Sequence, residues 1–312
     1  MTHERGEKMK TVKENDILLS SGTNELEVIL FNVGSNLYGV NVLKVREIIM
    51  PMSATRLPQA HEHIEGVIRL RDEVLPVVDL GKVLHASRKE GDEQDKLIVC
   101  ELNQTKIAFR VHDVHRIHRI SWGQIEKPSE LSAGEQAFAS GIIKMDNEMA
   151  ILLDFEKVVI DINPKAGIDV DKVKQLGPRE RSTKKIIVAE DSAVLRELLK
   201  DTLFEAGYTE IQFFQNGNEA WKYLKAIGED DEKDPLEFVQ LMITDIEMPQ
   251  MDGHHLTKQV KSHPRLKEIP VVIFSSLITE DLQHKGKQVG ASSQISKPDI
   301  IRLIEEIDEL VL

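Results

Sequence analysis

The chain has 312 residues, of which 41% are hydrophobic and 30% are charged, and its formal net charge is −13. This length suggests two domains, and no apolar stretch approaches the roughly 20 residues that cross a bilayer, so we expect no direct membrane insertion. The polar, mixed-charge start is not that of a signal peptide and predicts a cytoplasmic protein. The net acidity argues against nucleic acid as a partner, because that affinity comes from clustered Lys and Arg.

The first half of the chain is dominated by short apolar runs separated by polar turns. Residues 26–31 and 37–40 flank a turn and predict a hairpin. Further strands are predicted at residues 73–80, 97–101, 106–111, 141–145 and 149–154, and helices only at 41–49 and 155–160. Closely spaced strands without intervening helices favour an all-β barrel or a pair of small barrels. No Ser/His/Asp, Cys/His or paired-carboxylate pattern stands out there, so we assign no catalytic residue.

Three histidines, His112, His115 and His118, recur at helical spacing in this half, and a histidine cluster is a possible metal site. Apolar residues recur at intervals of three in the same segment. We therefore interpret the histidines as part of a solvated polar face beside a core stripe.

Residues 163–184 are rich in Pro, Gly and polar side chains and separate two halves of different periodicity. We divide the chain into an N-terminal tail (1–24), a first domain (25–162), a linker (163–184) and a second domain (185–312). The middle of the linker has a pattern that suits one or two helical turns.

The second half alternates short apolar runs with amphipathic segments. Strands are predicted at residues 186–190, 210–214, 241–245, 271–274 and 294–296. Helices are predicted at residues 193–206, 218–227, 254–263, 280–289 and 299–310. This alternation predicts an α/β domain with a doubly wound, five-stranded parallel sheet.

Polar side chains follow four of these predicted strands. Glu190 and Asp191 follow the first, Asp245 ends the third, Ser275 follows the fourth and Lys297 follows the fifth. Parallel sheets place their ligand sites at the carboxyl ends of the strands, so these side chains should converge. Carboxylates suit Mg²⁺, and an Asp beside the metal can accept a phosphoryl group whose charge a Lys and a hydroxyl stabilise.

The motifs at these strand ends resemble the receiver domain of bacterial two-component response regulators. They are Val-Ala-Glu-Asp-Ser at 188–192, Ile-Thr-Asp-Ile-Glu-Met-Pro-Gln-Met-Asp-Gly at 243–253, Phe-Ser-Ser at 274–276 and Ser-Lys-Pro at 296–298. The resemblance implies a role for each of six residues: Asp245 as phosphorylation site, Glu190 and Asp191 as the acidic pair that binds Mg²⁺ beside Asp245, the backbone carbonyl of Glu247 as a further metal ligand, Ser275 as switch hydroxyl and Lys297 as phosphate contact.

Two positions depart from the receiver pattern. Glu190 stands where Asp is commoner, which lengthens the reach of the carboxylate. Gln294 occupies the position of the switch aromatic, where many receivers carry Tyr or Phe. The aromatic half of that switch is therefore absent.

Segments 38–48, 64–80 and 149–158 of the first half resemble the CheW family of chemotaxis coupling proteins. The resemblance implies two five-stranded β-barrels around a shared core. It also implies two partners: the cytoplasmic signalling helices of chemoreceptors and the chemotaxis histidine kinase. By the same resemblance, Val45, Glu47 and Arg71 are candidates for the receptor or kinase interface. Asp72 stands where the family usually has Gly, so the turn after Arg71 is expected to differ.

A coupling domain fused to a receiver resembles the CheV family. The resemblance implies an adaptor, recruited to receptor arrays, that links receptors to the kinase and is adjusted by phosphorylation of Asp245. Three alternatives remain open at this point. The receiver could act as a phosphate sink, the Asp245 and Glu247 pair could belong to an aspartyl-phosphate-type hydrolase, or the receiver could control DNA binding. The last lacks a basic recognition helix.

Overall fold

The structure is a computed structural model that describes residues 25–86, 95–102, 105–126, 138–146, 148–177 and 179–311. The predicted tail, residues 1–24, lies outside these ranges. The described residues of the first domain form the following strands: β1 (Glu25–Val33), β2 (Asn36–Asn41), β3 (Val45–Ile49), β4 (Ile64–Leu70), β5 (Glu73–Asp79), β6 (Lys96–Leu102), β7 (Thr105–Val111), β8 (Asp113–Ser121), β9 (Ile125–Glu126), β10 (Ala139–Lys144) and β11 (Met149–Leu153). Helices α1 (Leu80–Val83) and α2 (Phe155–Ile162) follow β5 and β11.

These strands form two sheets, in the orders β8-β1-β2-β11-β10-β9 and β3-β6-β7-β5-β4. The first sheet has six strands rather than the expected five, because the two-residue β9 pairs with β10. β3 and β4 are the two edges of the second sheet, and an ion pair of 3.2 Å between Glu47 on β3 and Arg71 after β4 joins them. The second sheet is therefore curled, as a barrel requires.

The predicted helix at residues 41–49 is wrong. The structure has a 3₁₀ turn at Val42–Lys44, capped by the side chain of Asn41, and then strand β3. The spacing of the apolar residues in this segment suits either a helix or a strand. The antiparallel pairing of β3 with β6 decides in favour of the strand.

The helical reading of the histidine segment is also wrong. This segment contains strand β8, which pairs with β1 and has a bulge where it passes Ile29 and Phe31. Ile117 is 56% exposed, so the apolar stripe is not a continuous core face. His112 is buried, and its Nδ1 accepts a hydrogen bond of 2.8 Å from the backbone N–H of Gly34.

The second domain has the predicted α/β architecture. Its strands are β12 (Ser182–Ala189), β13 (Tyr208–Phe214), β14 (Leu241–Thr244), β15 (Val271–Ser275) and β16 (Ser293–Ser296), all parallel in the order β13-β12-β14-β15-β16. Its helices are α3 (Ala193–Glu205), α4 (Gly217–Gly228), α5 (Pro235–Phe238), α6 (Gly253–Ser262), α7 (Glu280–Gln288) and α8 (Ile300–Val311). The short helix α5 has no counterpart in the sequence prediction. Buried apolar clusters cover both faces of the sheet, so the fold class is confirmed.

The segment predicted as a linker packs on the second domain. It forms 3₁₀ turns at Pro164–Ala166 and Val170–Leu176. Ile168 and Val173 are buried in the core cluster that α3 and α8 also line. Part of this segment is therefore bound to the second domain rather than free between the two.

Val173→Ala should destabilise the second domain by about 1–3 kcal/mol, because it removes two buried methyl groups and leaves a cavity. Urea unfolding, monitored by the fluorescence of Trp221 in a Trp122→Phe background, measures the stability of the second domain. Val194→Ala on α3 is a matched control, since Val194 is 40% exposed and its change should stay within about 0.5 kcal/mol. Equal midpoints for the two variants would show that the segment contributes nothing to this core.

Within the part of the chain that the structure describes, no helix has the length and apolar character needed to cross a membrane.

Candidate functional site

The carboxyl ends of β12, β14, β15 and β16 meet at one edge of the parallel sheet and bring the predicted polar residues together. The Nζ of Lys297 lies 2.7 Å from Glu190 Oε2 and 3.2 Å from Asp245 Oδ2. Glu190, Asp245, Ser275 and Lys297 are buried. Asp191 is half-buried.

Backbone contacts hold Asp245 in place at the end of β14. Its N–H donates to the carbonyl of Ala189 on the neighbouring strand at 2.9 Å, and its Oδ1 accepts from the N–H of Ile246 at 2.7 Å. The loop then returns to Gly253, the first residue of α6, whose N–H donates to the carbonyl of Ile246. A Cβ at Gly253 would lie 1.9 Å from the carbonyl oxygen of Asp245.

Gly253→Ala should therefore displace Asp245, because the atom in the way is backbone and no flexible side chain can yield. We expect a loss of about 1–3 kcal/mol in the free energy of unfolding, as for overpacking in a core, together with slower phosphoryl uptake. Gly123→Ala is the control, since its Cβ would meet only the Ser121 hydroxyl at 3.7 Å. Urea midpoints and uptake rates for both variants test this, and wild-type values for Gly253→Ala would contradict it.

Arg196 is a residue of the site that the sequence analysis missed. Its Nη1 donates to the backbone carbonyls of Glu190 and Asp191, each at 2.8 Å. It therefore fixes the backbone of the acidic pair from the first turn of α3. The only sequence signal is its position five residues after Asp191, where a helix returns toward the strand end.

The charges of the site shift the pKa values of its members. Burial and the neighbouring charge of Asp245 raise the pKa of Glu190 to about 7, although Lys297 opposes the shift. Burial and the nearby carboxylates, Glu190 first, raise the pKa of Asp191 well above its usual range. Burial alone would lower the pKa of Lys297, but the surrounding carboxylates outweigh it and raise that pKa. The pocket thus holds more negative charge than one lysine balances.

The donor set fits a divalent cation. Carboxylate oxygens of Glu190, Asp191 and Asp245 all lie within 4.8 Å of one another. These are the hard oxygen ligands that Mg²⁺ takes, and a cation would offset the burial and the carboxylate repulsion that together raise the pKa of Asp191.

The side chains at the two predicted switch positions, Ser275 and Gln294, form hydrogen bonds to residues outside the pocket. The hydroxyl of Ser275 accepts a hydrogen bond of 3.2 Å from the N–H of Leu277. The side-chain amide of Gln294 donates to the carbonyl of Gln283 on α7 at 2.8 Å. Gly286 leaves the space for it, because a Cβ there would lie 2.1 Å from Gln294 Oε1. Gln294 is therefore tied to α7.

Glu247 was predicted to act through its backbone carbonyl, but its side chain reaches the first domain. Its Oε1 accepts from the side-chain amide of Asn41 at 2.5 Å, and its Oε2 lies 3.0 Å from the Nζ of Lys44. Lys44 also pairs with Glu156 on α2 at 3.2 Å, and Glu156 accepts a hydrogen bond of 2.6 Å from the hydroxyl of Ser276. No sequence pattern links residues so far apart.

The structure places Val45 and Glu47 on strand β3 and Arg71 in the turn after β4, but it does not test their role. Val45, at the start of β3, is partly buried against the first-domain core. Glu47 and Arg71 form the ion pair that joins the sheet edges, and the Arg71 side chain is 78% exposed. The turn after β4 has a left-handed residue, Arg71, with φ 56°.

Comparison with known protein families identifies the kind of domain in each half of the chain. Residues 27–163 match the CheW-like domain, and residues 186–308 match the response regulator receiver domain. The chain is 31% identical to chemotaxis protein CheV3 of Helicobacter pylori, covering 95% of this chain and 97% of that protein. It is 28% identical to CheV1 of the same species, over 92% and 94% of the two chains.

Among solved structures, the scaffolding protein TtCheW from Thermoanaerobacter tengcongensis is 30% identical, with a TM-score of 0.39, over 41% of this chain and 88% of that one. The match to CheV3 extends across both domains and nearly the full length of both proteins. This protein therefore belongs to the CheV family of chemotaxis proteins.

Proposed function

We propose that this chemotaxis coupling adaptor accepts a phosphoryl group on Asp245 from the chemotaxis histidine kinase, and that this modification changes how its first domain couples receptors to the kinase. One observation carries the proposal. In a chain of the CheV family, Asp245 shares Lys297 with Glu190, and the carboxylates of Glu190, Asp191 and Asp245 together suit a divalent cation.

The residues of the pocket have distinct roles in this reaction. A carboxylate oxygen of Asp245 forms a bond to phosphorus while the phosphorus–nitrogen bond of the kinase phosphohistidine breaks, and the imidazole takes up a proton. Lys297 neutralises charge on the phosphoryl oxygens, and the Ser275 hydroxyl turns to one of them. Glu190, Asp191, Asp245 and the backbone carbonyl of Glu247 would hold Mg²⁺, which supplies further positive charge to the phosphoryl oxygens.

The first domain supplies the binding surfaces. The receptor signalling helices and the kinase would contact the region of Val45, Glu47 and Arg71. Arg71 has the exposure that such a contact needs, and Glu47 fixes its position through their ion pair. Coupling at this surface would recruit the protein to membrane-associated receptor arrays.

The alternative functions are not favoured. The two domains match the CheW-like and receiver families, and CheV relatives match across both, which favours an adaptor over a DNA-binding protein or a hydrolase. A hydrolase of the aspartyl-phosphate type carries its nucleophile near the start of the domain. Here the acidic pair Glu190 and Asp191 lies upstream of Asp245 instead. A phosphate sink needs only the receiver and gives no role to the coupling domain.

Phosphate transfer from phosphorylated kinase to this protein, with Mg²⁺ present, tests the proposal. We expect stoichiometric labelling of the full chain that requires Mg²⁺. Steady multiple turnover of small phosphoesters that disappears in Asp245→Ala would instead identify a hydrolase.

A further inference from the structure

The two domains meet in a polar cluster next to the proposed phosphorylation site. We call this set the interdomain cluster: Asn41, Lys44 and Glu156 from the first domain, and Glu247 and Ser276 from the second. Within this cluster, three contacts join the two domains, at distances of 2.5, 3.0 and 2.6 Å. The charged side chains are largely buried, with 11% of Lys44, 10% of Glu156 and 19% of Glu247 exposed.

The interdomain cluster is short of positive charge. Lys44 lies between Glu156 and Glu247 and pairs with both. Burial alone would raise the pKa of Glu156, but Lys44 and then Lys297 lower it to about 2. Lys297, which belongs to the phosphorylation pocket, thus also stabilises a carboxylate of the first domain. A change in the charge around Lys297 therefore affects Glu156 as well as the pocket.

The pocket and the interdomain cluster are also adjacent along the chain. Ser276, which donates to Glu156, directly follows Ser275, the proposed switch hydroxyl. Ser275 now accepts from the N–H of Leu277. A turn of Ser275 toward a phosphoryl group would move the backbone that positions Ser276. Gln294 is held on α7 and supplies no aromatic ring to relay that movement.

We propose that the interdomain cluster holds the receiver on the coupling domain when Asp245 is unmodified, and that phosphorylation of Asp245 breaks these contacts and releases the 3₁₀ turn at Val42–Lys44. A phosphoryl group adds roughly one negative charge to the pocket and binds Lys297. Less of the positive charge of Lys297 is then available to stabilise the buried carboxylate of Glu156. The modification thereby favours the undocked state, as a switch requires.

The released segment lies directly before β3, which begins at Val45 and carries Glu47. Undocking would therefore uncover the edge of the proposed partner surface. This inference rests on the proposed function, because it takes Asp245 as the acceptor.

Hydrogen–deuterium exchange on the full chain tests the release, with beryllofluoride and Mg²⁺ as the mimic of the phosphoryl group. We expect amides of residues 41–46 and 154–160 to exchange at least tenfold faster in wild type when beryllofluoride binds. Asp245→Asn should show no such change. Lys44→Met should exchange fast at both segments without beryllofluoride, whereas Lys44→Arg, which keeps the charge, should behave like wild type.

Lys144→Met is the matched control, since Lys144 forms an exposed pair with Glu126 elsewhere on the first domain, and it should behave like wild type. Slower exchange of the amides around Asp245 reports beryllofluoride binding separately. If it binds and residues 41–46 stay protected, the release is overturned and the proposed function stands. If neither beryllofluoride nor kinase phosphate reaches Asp245, both are overturned.

Discussion

Asp245→Asn should leave the adaptor able to bind receptors and kinase but insensitive to phosphorylation. Asn keeps the shape of the side chain and the hydrogen bond from the N–H of Ile246, but its amide cannot accept a phosphoryl group. Lys297 retains Glu190 as a partner at 2.7 Å, and one of the crowded negative charges disappears, so the fold should persist. Phosphoryl uptake from the kinase should therefore fall to background.

A reconstituted assembly of receptor, kinase and this protein measures the consequence as ATP turnover. With wild type, kinase output should change as the adaptor becomes phosphorylated, and with Asp245→Asn it should stay constant. Asp201→Asn is the matched control, because Asp201 is an exposed residue of α3 outside the pocket. Identical responses of wild type and Asp245→Asn would refute regulation through this residue.

Lys297→Met should cost both stability and phosphoryl uptake. Lys297 is 2% exposed and is the cation between Glu190 and Asp245, so its loss leaves two buried carboxylates without this cationic partner. Removing one member of a buried ion pair typically costs about 3–5 kcal/mol. Met has nearly the same length, so the loss is one of charge rather than of volume. Urea unfolding and phosphate transfer measure the two effects.

The double variant Lys297→Met/Glu190→Gln separates the effect on stability from the effect on phosphoryl uptake. The neutral amide that replaces the Glu190 carboxylate needs no cation, so part of the stability should return, whereas uptake should stay low because the phosphoryl charge still lacks the lysine. Lys222→Met, at an exposed position of α4, should change neither property. Full recovery of uptake in the double variant would show that Lys297 acts only on the fold.

The receiver half was predictable because its pattern is local. Each buried strand is a short apolar run and each helix an amphipathic segment, and parallel connections place the carboxyl ends of the strands at one edge. The meeting of Glu190, Asp245 and Lys297 follows from that rule alone. The structure shifts the predicted strand ends by at most four residues, without moving any of these side chains from the pocket.

The first half was less predictable because its strands pair over long distances. Residues 41–49 and the histidine segment both have apolar spacings that suit a helix. Their pairing with β6 and β1 makes strands of them. Tertiary contacts override local preference in such short segments.

The sequence by itself determined the two kinds of domain, the chemistry of the pocket around Asp245 and the absence of the switch aromatic at Gln294. Only the tertiary structure decided that Ile168 and Val173 of the linker are part of the receiver core, and that Glu247 and Ser276 contact Asn41, Lys44 and Glu156. The physical reason is the distance along the chain over which each feature is encoded. Strand order and helix period are encoded by neighbours a few residues apart, whereas a contact between domains depends on how two finished surfaces match in shape and charge.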